Sequence, residues 1–236
     1  MKKLSTLSWA VALLLIEAHL IFLPLIILGT SINWPASLDE PASVNLPLIL
    51  DNYTALITGY GIYLLYSLLF WPVAYLCGRI LVLGKMENVC FQIATGFALL
   101  SALARAMGIV RWLFSMPALA KQYLDSNSEE VQANISIQYE MLNSYAGGVG
   151  ELIGVDLFAA IWLSLISVLI LRQEFWPNWM ASFGFITSAL LCSNWMEVVG
   201  VNMGAMKTIS VVFLHFWMLA AAFVFHKRRE KISFET

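Results

Sequence analysis

Long apolar runs, separated by shorter polar stretches, set the pattern of the chain. Crossing a hydrocarbon layer of about 30 Å takes about 20 residues at 1.5 Å per residue. Six runs meet that length, at approximately 8–30, 52–82, 88–116, 148–171, 179–200 and 208–226. They predict an all-α polytopic membrane protein, a bundle of six transmembrane helices forming a single transmembrane domain over residues 1–236. The second and third runs exceed the minimum, which calls for tilt, a kink at Pro72 or extension beyond the lipid.

The polar stretches differ from one another. Residues 31–51 carry Pro35, Pro41 and Pro47 and are expected to be irregular, a cover with Trp34 at headgroup level. Residues 121–147 read as a polar turn at Asp125-Ser-Asn-Ser followed by a short amphipathic helix in the third, outer loop, lying over the outer face. Ser128 is the expected N-cap, and Glu129 and Glu130 suit the positive end of the helix dipole. The sequon Asn134-Ile-Ser136 would take a glycan only in a secretory host.

Composition sharpens this picture. The 236 residues are 60% hydrophobic and 12% charged, against about 45–50% and about 25% in soluble domains. A net charge of -2 is too small to imply a nucleic-acid partner, and its meaning lies in where the charges sit. Lys2, Lys3, Arg79, Lys85, Arg172, Lys227, Arg228, Arg229 and Lys231 fall at the ends and in the even-numbered loops, whereas the odd-numbered loops hold only Lys121 and Lys207. Both termini are therefore expected in the cytoplasm. The apolar run after Lys2 and Lys3 is too long for a cleaved signal peptide and reads as the first helix. Cys77, Cys90 and Cys192 lie in or beside apolar runs without metal or redox spacing, and read as small buried hydrophobes. Trp112, Trp176 and Trp179 fit an interfacial belt.

Ionisable side chains inside spans are costly and so point to chemistry or to pairing. Arg105 and Arg111 fall in the outer half of the third run, Glu151 and Asp156 in the outer half of the fourth, and Glu197 at the outer end of the fifth. Two arginines facing three carboxylates predict mutual neutralisation, with Arg105 or Arg111 bonded to Glu151. The surplus carboxylate would hold a proton, a metal or a cationic substrate; the plainer alternative is that the pairs only fasten helices together. His19 and His215 fall near mid-depth, where a facing pair would ligate haem or another metal, unless each simply bonds a backbone carbonyl or carboxylate. Glu17 points away from His19, about 200° around the helix. Gly150-x-x-x-Gly154 offers a close-packing seam, and Gly200 and Gly204 permit a turn.

The stretch Arg105-Ala-Met-Gly-Ile-Val-Arg111-Trp112, then Met116-Pro117-Ala-Leu-Ala120, resembles a bacterial family of six-helix membrane proteins classed as a domain of unknown function. Tyr145-Ala-Gly-Gly-Val-Gly150-Glu151-Leu-Ile-Gly154 and Trp162 resemble its second marker, and the likeness is densest over about residues 100–180. The family often carries a histidine after the glutamate, where this chain has Leu152. The resemblance implies a bacterial cytoplasmic membrane location and no particular reaction. The leading functional reading is a non-enzymatic binding or transport module, or an accessory subunit meeting other membrane subunits or a second copy, with lipids as constant partners. The alternative is an intramembrane haem- or metal-binding redox protein or enzyme using His19 and His215. A third, a sensor working through His226-Lys-Arg-Arg-Glu-Lys231, competes with plain attraction of that tail to anionic lipid.

Overall fold

The computed structural model describes residues 6–83 and 87–229, and every regular element among them is helical. Lys2, Lys3, Lys85 and Lys231, on which part of the orientation rests, lie outside the described residues. Among the described residues, five helical stretches are long and apolar enough to cross a membrane: Thr6–Ile32, Tyr53–Leu81, Val89–Asp125, Glu129–Leu171 and Gly204–Lys227.

Prolines account for the breaks. Thr6–Ile32 is α1 (Thr6–Leu20) followed by α2 (Phe22–Ile32), and Val89–Asp125 is α5 (Val89–Leu113) followed by α6 (Ser115–Asp125). A proline ring clashes with the carbonyl four residues back and cannot donate to it. Those carbonyls belong to Leu20 for Pro24 and Leu113 for Pro117, and the helix gives way one residue later, at Ile21 and Phe114. Pro72, by contrast, lies inside an uninterrupted α4 (Tyr53–Leu81).

Two polar stretches depart from expectation. Residues 31–51 are mostly helical, with a 3-10 turn at Ala36–Asp39 and α3 at Ala42–Asp51. Pro35 and Pro41 stand immediately before these elements, where a missing N–H breaks no helical bond, so two of the three prolines start helices rather than prevent them. The second departure concerns the expected separate amphipathic helix. It is α7 (Glu129–Gly148), which runs on through a π-helical stretch, Val149–Ala159, into α8 (Ala160–Leu171). The loop shrinks to 126–128, because Ser128 Oγ accepts the Val131 N–H at 3.4 Å and Gln132 Nε2 donates to the Tyr123 and Ser126 carbonyls at 3.2 and 3.0 Å. Helical stretches of 37 and 43 residues are about 55 and 65 Å long, well beyond a bilayer core. The fifth run is α9 (Asn178–Ser193) plus a 3-10 turn, Asn194–Val199, ended by Gly200 at φ 88°. α10 spans Gly204–Lys227.

The chain divides into two compact units, interleaved in sequence. The first contains residues 1–19, 69–103 and 152–236. Its core is aromatic: the Trp162 ring meets Phe70 at 5.1 Å and Trp217 at 5.7 Å, both edge-on. Trp217 Nε1 donates to the Met180 carbonyl at 3.0 Å and Trp176 Nε1 to the Leu81 carbonyl at 2.9 Å. The second contains residues 20–68 and 104–151. There α3 packs on α6 and α7, closing Leu46, Ile49, Met116, Ala120, Ile135 and Tyr139 into one core. Trp112 and Trp176 are thus buried within units, and of the three tryptophans expected at the lipid boundary Trp179 is the exposed one. The cysteines are free, and they range from buried Cys77 through half-buried Cys90 to exposed Cys192.

Candidate functional site

The second unit holds the chemistry concentrated on Arg105 and Arg111. Both are buried, 4% and 6% exposed, about one and two-thirds helical turns apart along α5. Arg111 lies in electrostatic range of Glu151, Tyr60, Tyr139 and Tyr63, and Tyr63 in range of Glu151, Arg105 and Arg111. Tyr60 stacks on Trp112 with ring centroids 5.1 Å apart and planes 1° from parallel, and the Arg111 guanidinium carbon is 5.3 Å from the same indole. Tyr63 meets Trp34 edge-on at 5.7 Å. Asn45 donates to the Tyr139 hydroxyl at 2.6 Å and to the Ser37 carbonyl, tying α3 to α7 beside the cluster.

Glycines bring the cluster's backbones together. A Cβ on Gly108 would stand 2.8 Å from Gly150 Cα and 2.9 Å from the Ala146 carbonyl oxygen, so α5 and the π-helical stretch touch through backbone. The Arg111 guanidinium lies along Gly147, 3.5 Å from where a Cβ would be. Arg111 Nη1 donates to the Gly108 carbonyl at 3.2 Å. Arg111 Nε and the Tyr60 hydroxyl are buried with no hydrogen-bond partner among the described residues. A buried donor without an acceptor costs about 1–3 kcal/mol.

The other predicted site residues lie in the first unit, each with its own partners. Asp156, 3% exposed, accepts from Asn194 Nδ2 at 2.8 Å, and that amide also reaches Ser210 Oγ at 3.0 Å. Glu197 pairs with Lys207 at 2.6 Å, so lysine takes the place expected for an arginine. His19 is exposed on α1 and His215 buried on α10, and Nδ1 of each lies 2.7 Å from the carbonyl four residues back, Leu15 and Val211. No group of three or more metal-ligating side chains occurs among the described residues. Of the expected seam, Gly150 does pack closely, and the Gly154 carbonyl accepts from Ser101 Oγ at 2.7 Å.

Over residues 9–226 the chain matches the family described as Domain of unknown function (DUF4386). It belongs to that family. The DUF4386 match takes in residues from both units and reaches well beyond residues 100–180. No curated protein and no solved structure matched the chain.

The tyrosines of the cluster do not stand out in the sequence. Tyr60, Tyr63 and Tyr66 recur every three residues in an otherwise apolar run, a row of polar-tipped rings along one side of α4 that was the available signal.

Proposed function

We propose that this DUF4386 protein is a non-enzymatic binding module of the bacterial cytoplasmic membrane, and that the Arg105–Arg111 cluster takes a small anion bearing a carboxylate or phosphate. One observation carries the reading: two neighbouring buried donors, Arg111 Nε and the Tyr60 hydroxyl, face no acceptor among the described residues. An anion supplies acceptors, and guanidinium groups match carboxylate and phosphate oxygens in plane and charge. Asp156 and Glu197 have partners in the first unit, so the three carboxylates are not gathered around buried Arg111, where half-buried Glu151 is the carboxylate in electrostatic range. That balance favours a negative ligand over the cation that a surplus of carboxylates would attract.

The membrane disposition proposed with it has six spans and both termini in the cytoplasm. Asn178–Val199, a 16-residue α-helix lengthened by six 3-10 residues, reaches about 36 Å and suffices for the sixth crossing.

The test is the thermal midpoint of the detergent-solubilised full chain against inorganic phosphate, acetate and succinate, with sodium chloride at matched ionic strength. A saturable rise with at least one of the three, absent in Arg111→Gln and weakened in Arg111→Lys, is expected. Equal responses to these anions and to chloride, or a rise that survives Arg111→Gln, refute the reading.

A further inference from the structure

At the C-terminal end of α10 the first unit opens a cleft of about 330 Å³, lined by Pro177, Trp179, Phe223, Val224, Lys227 and Arg228. Three features there favour negative charge. Lys227 is exposed, Arg228 is half-buried with its guanidinium 5.2 Å above the Phe175 ring, and α9 starts beside them at Pro177 without a side-chain cap. The first amides of a 16-residue helix therefore add the positive end of a dipole to two cations.

The apolar surface next to the cleft has matching order. Ile209, Val212, Phe216 and Phe223 are exposed along α10, at steps of three, four and seven residues, and Lys227 follows one turn after Phe223. On α9, which packs against α10, Trp179 and Ile186 are exposed seven residues apart. Each helix thus carries an exposed apolar row whose end meets the basic cleft. A soluble anion would use the cleft and leave the rows idle, whereas an amphiphile with a charged head and a long apolar tail would use both.

We propose that this cleft binds the phosphate headgroup of an anionic phospholipid, with an acyl chain laid along the Ile209–Phe223 row. Lys227 and Arg228 hold the phosphate, and Trp179 packs against the glycerol region at the boundary where its indole N–H stays hydrated. This site is independent of the arginine cluster in the second unit.

The test places the full chain in nanodiscs and reads quenching of Trp179 by brominated phosphatidylglycerol and brominated phosphatidylcholine, taking Trp179→Phe as the blank. Wild type should prefer phosphatidylglycerol, and Lys227→Gln and Arg228→Gln should each lower that preference about fivefold. Lys121→Gln, an exposed lysine of the second unit, should leave it unchanged. An equal fall in Lys121→Gln means general attraction of charge and overturns the site. So does unchanged preference in the Lys227→Gln, Arg228→Gln double variant. Inorganic phosphate that displaces the brominated lipid at millimolar concentration would assign the cleft to a free anion instead.

Discussion

At the scale of single residues, Gly108 and Gly150 decide how closely the arginine cluster can close. A Cβ on Gly108 meets backbone atoms that cannot rotate away, whereas one on Gly96, in the same helix, meets nothing within 4 Å. Gly108→Ala should therefore cost about 1–3 kcal/mol through overpacking, and Gly96→Ala should be neutral or stabilise by up to about 1 kcal/mol. Denaturant titration of the two variants in one detergent separates them, and equal midpoints would contradict the contact. Arg105, Arg111 and Glu151 were legible in the sequence because charge inside an apolar run demands explanation. Their neighbours were not, since a tyrosine in such a run reads equally as core, as lipid anchor or as a hydrogen-bond donor. Asp156 and Glu197 were legible as ionisable residues but not by partner. Lys207 reaches Glu197 across the turn at Gly200, and Asn194 reaches Asp156 from a different helical segment 38 residues on, pairings that no spacing rule supplies.

Helices and turns were legible where periodicity and capping agreed. Ser128 stands where the N-cap was expected, with its side chain on the Val131 amide. What composition hid was continuity, because α7 is polar enough to pass for a loop helix, and Gly147, Gly148 and Gly150 at its junction with the following span read as a break although the helix runs through them. The π-helical stretch left no mark in the sequence either, since its residues are as apolar as an α-helix would need. If Ser128 holds the start of α7, Ser128→Ala should lose about 1 kcal/mol locally and Ser128→Asp should retain it. Amide hydrogen exchange at residues 129–132 reads this directly, and unaltered exchange in Ser128→Ala would remove the cap from the account.

For the whole molecule, the count of crossings depends on Asn178–Val199. With six crossings, the 126–128 turn and the end of α10 face opposite sides of the membrane; with five they share one. Asn127→Cys and Arg229→Cys, each introduced after Cys77, Cys90 and Cys192 are replaced by serine, should react with an impermeant maleimide in vesicles of opposite orientation. Reaction from the same side would contradict the sixth crossing. Here the sequence was informative about which segments are apolar and how long they are, and silent about the division into two interleaved units, which depends on contacts among distant segments.

The unbroken backbone from Glu129 to Glu151 makes the hairpin tip and the cluster's carboxylate opposite ends of one strut about 33 Å long. A strut passes a push without absorbing it. Whatever grips the tip therefore has a mechanical line to the Glu151 carboxylate.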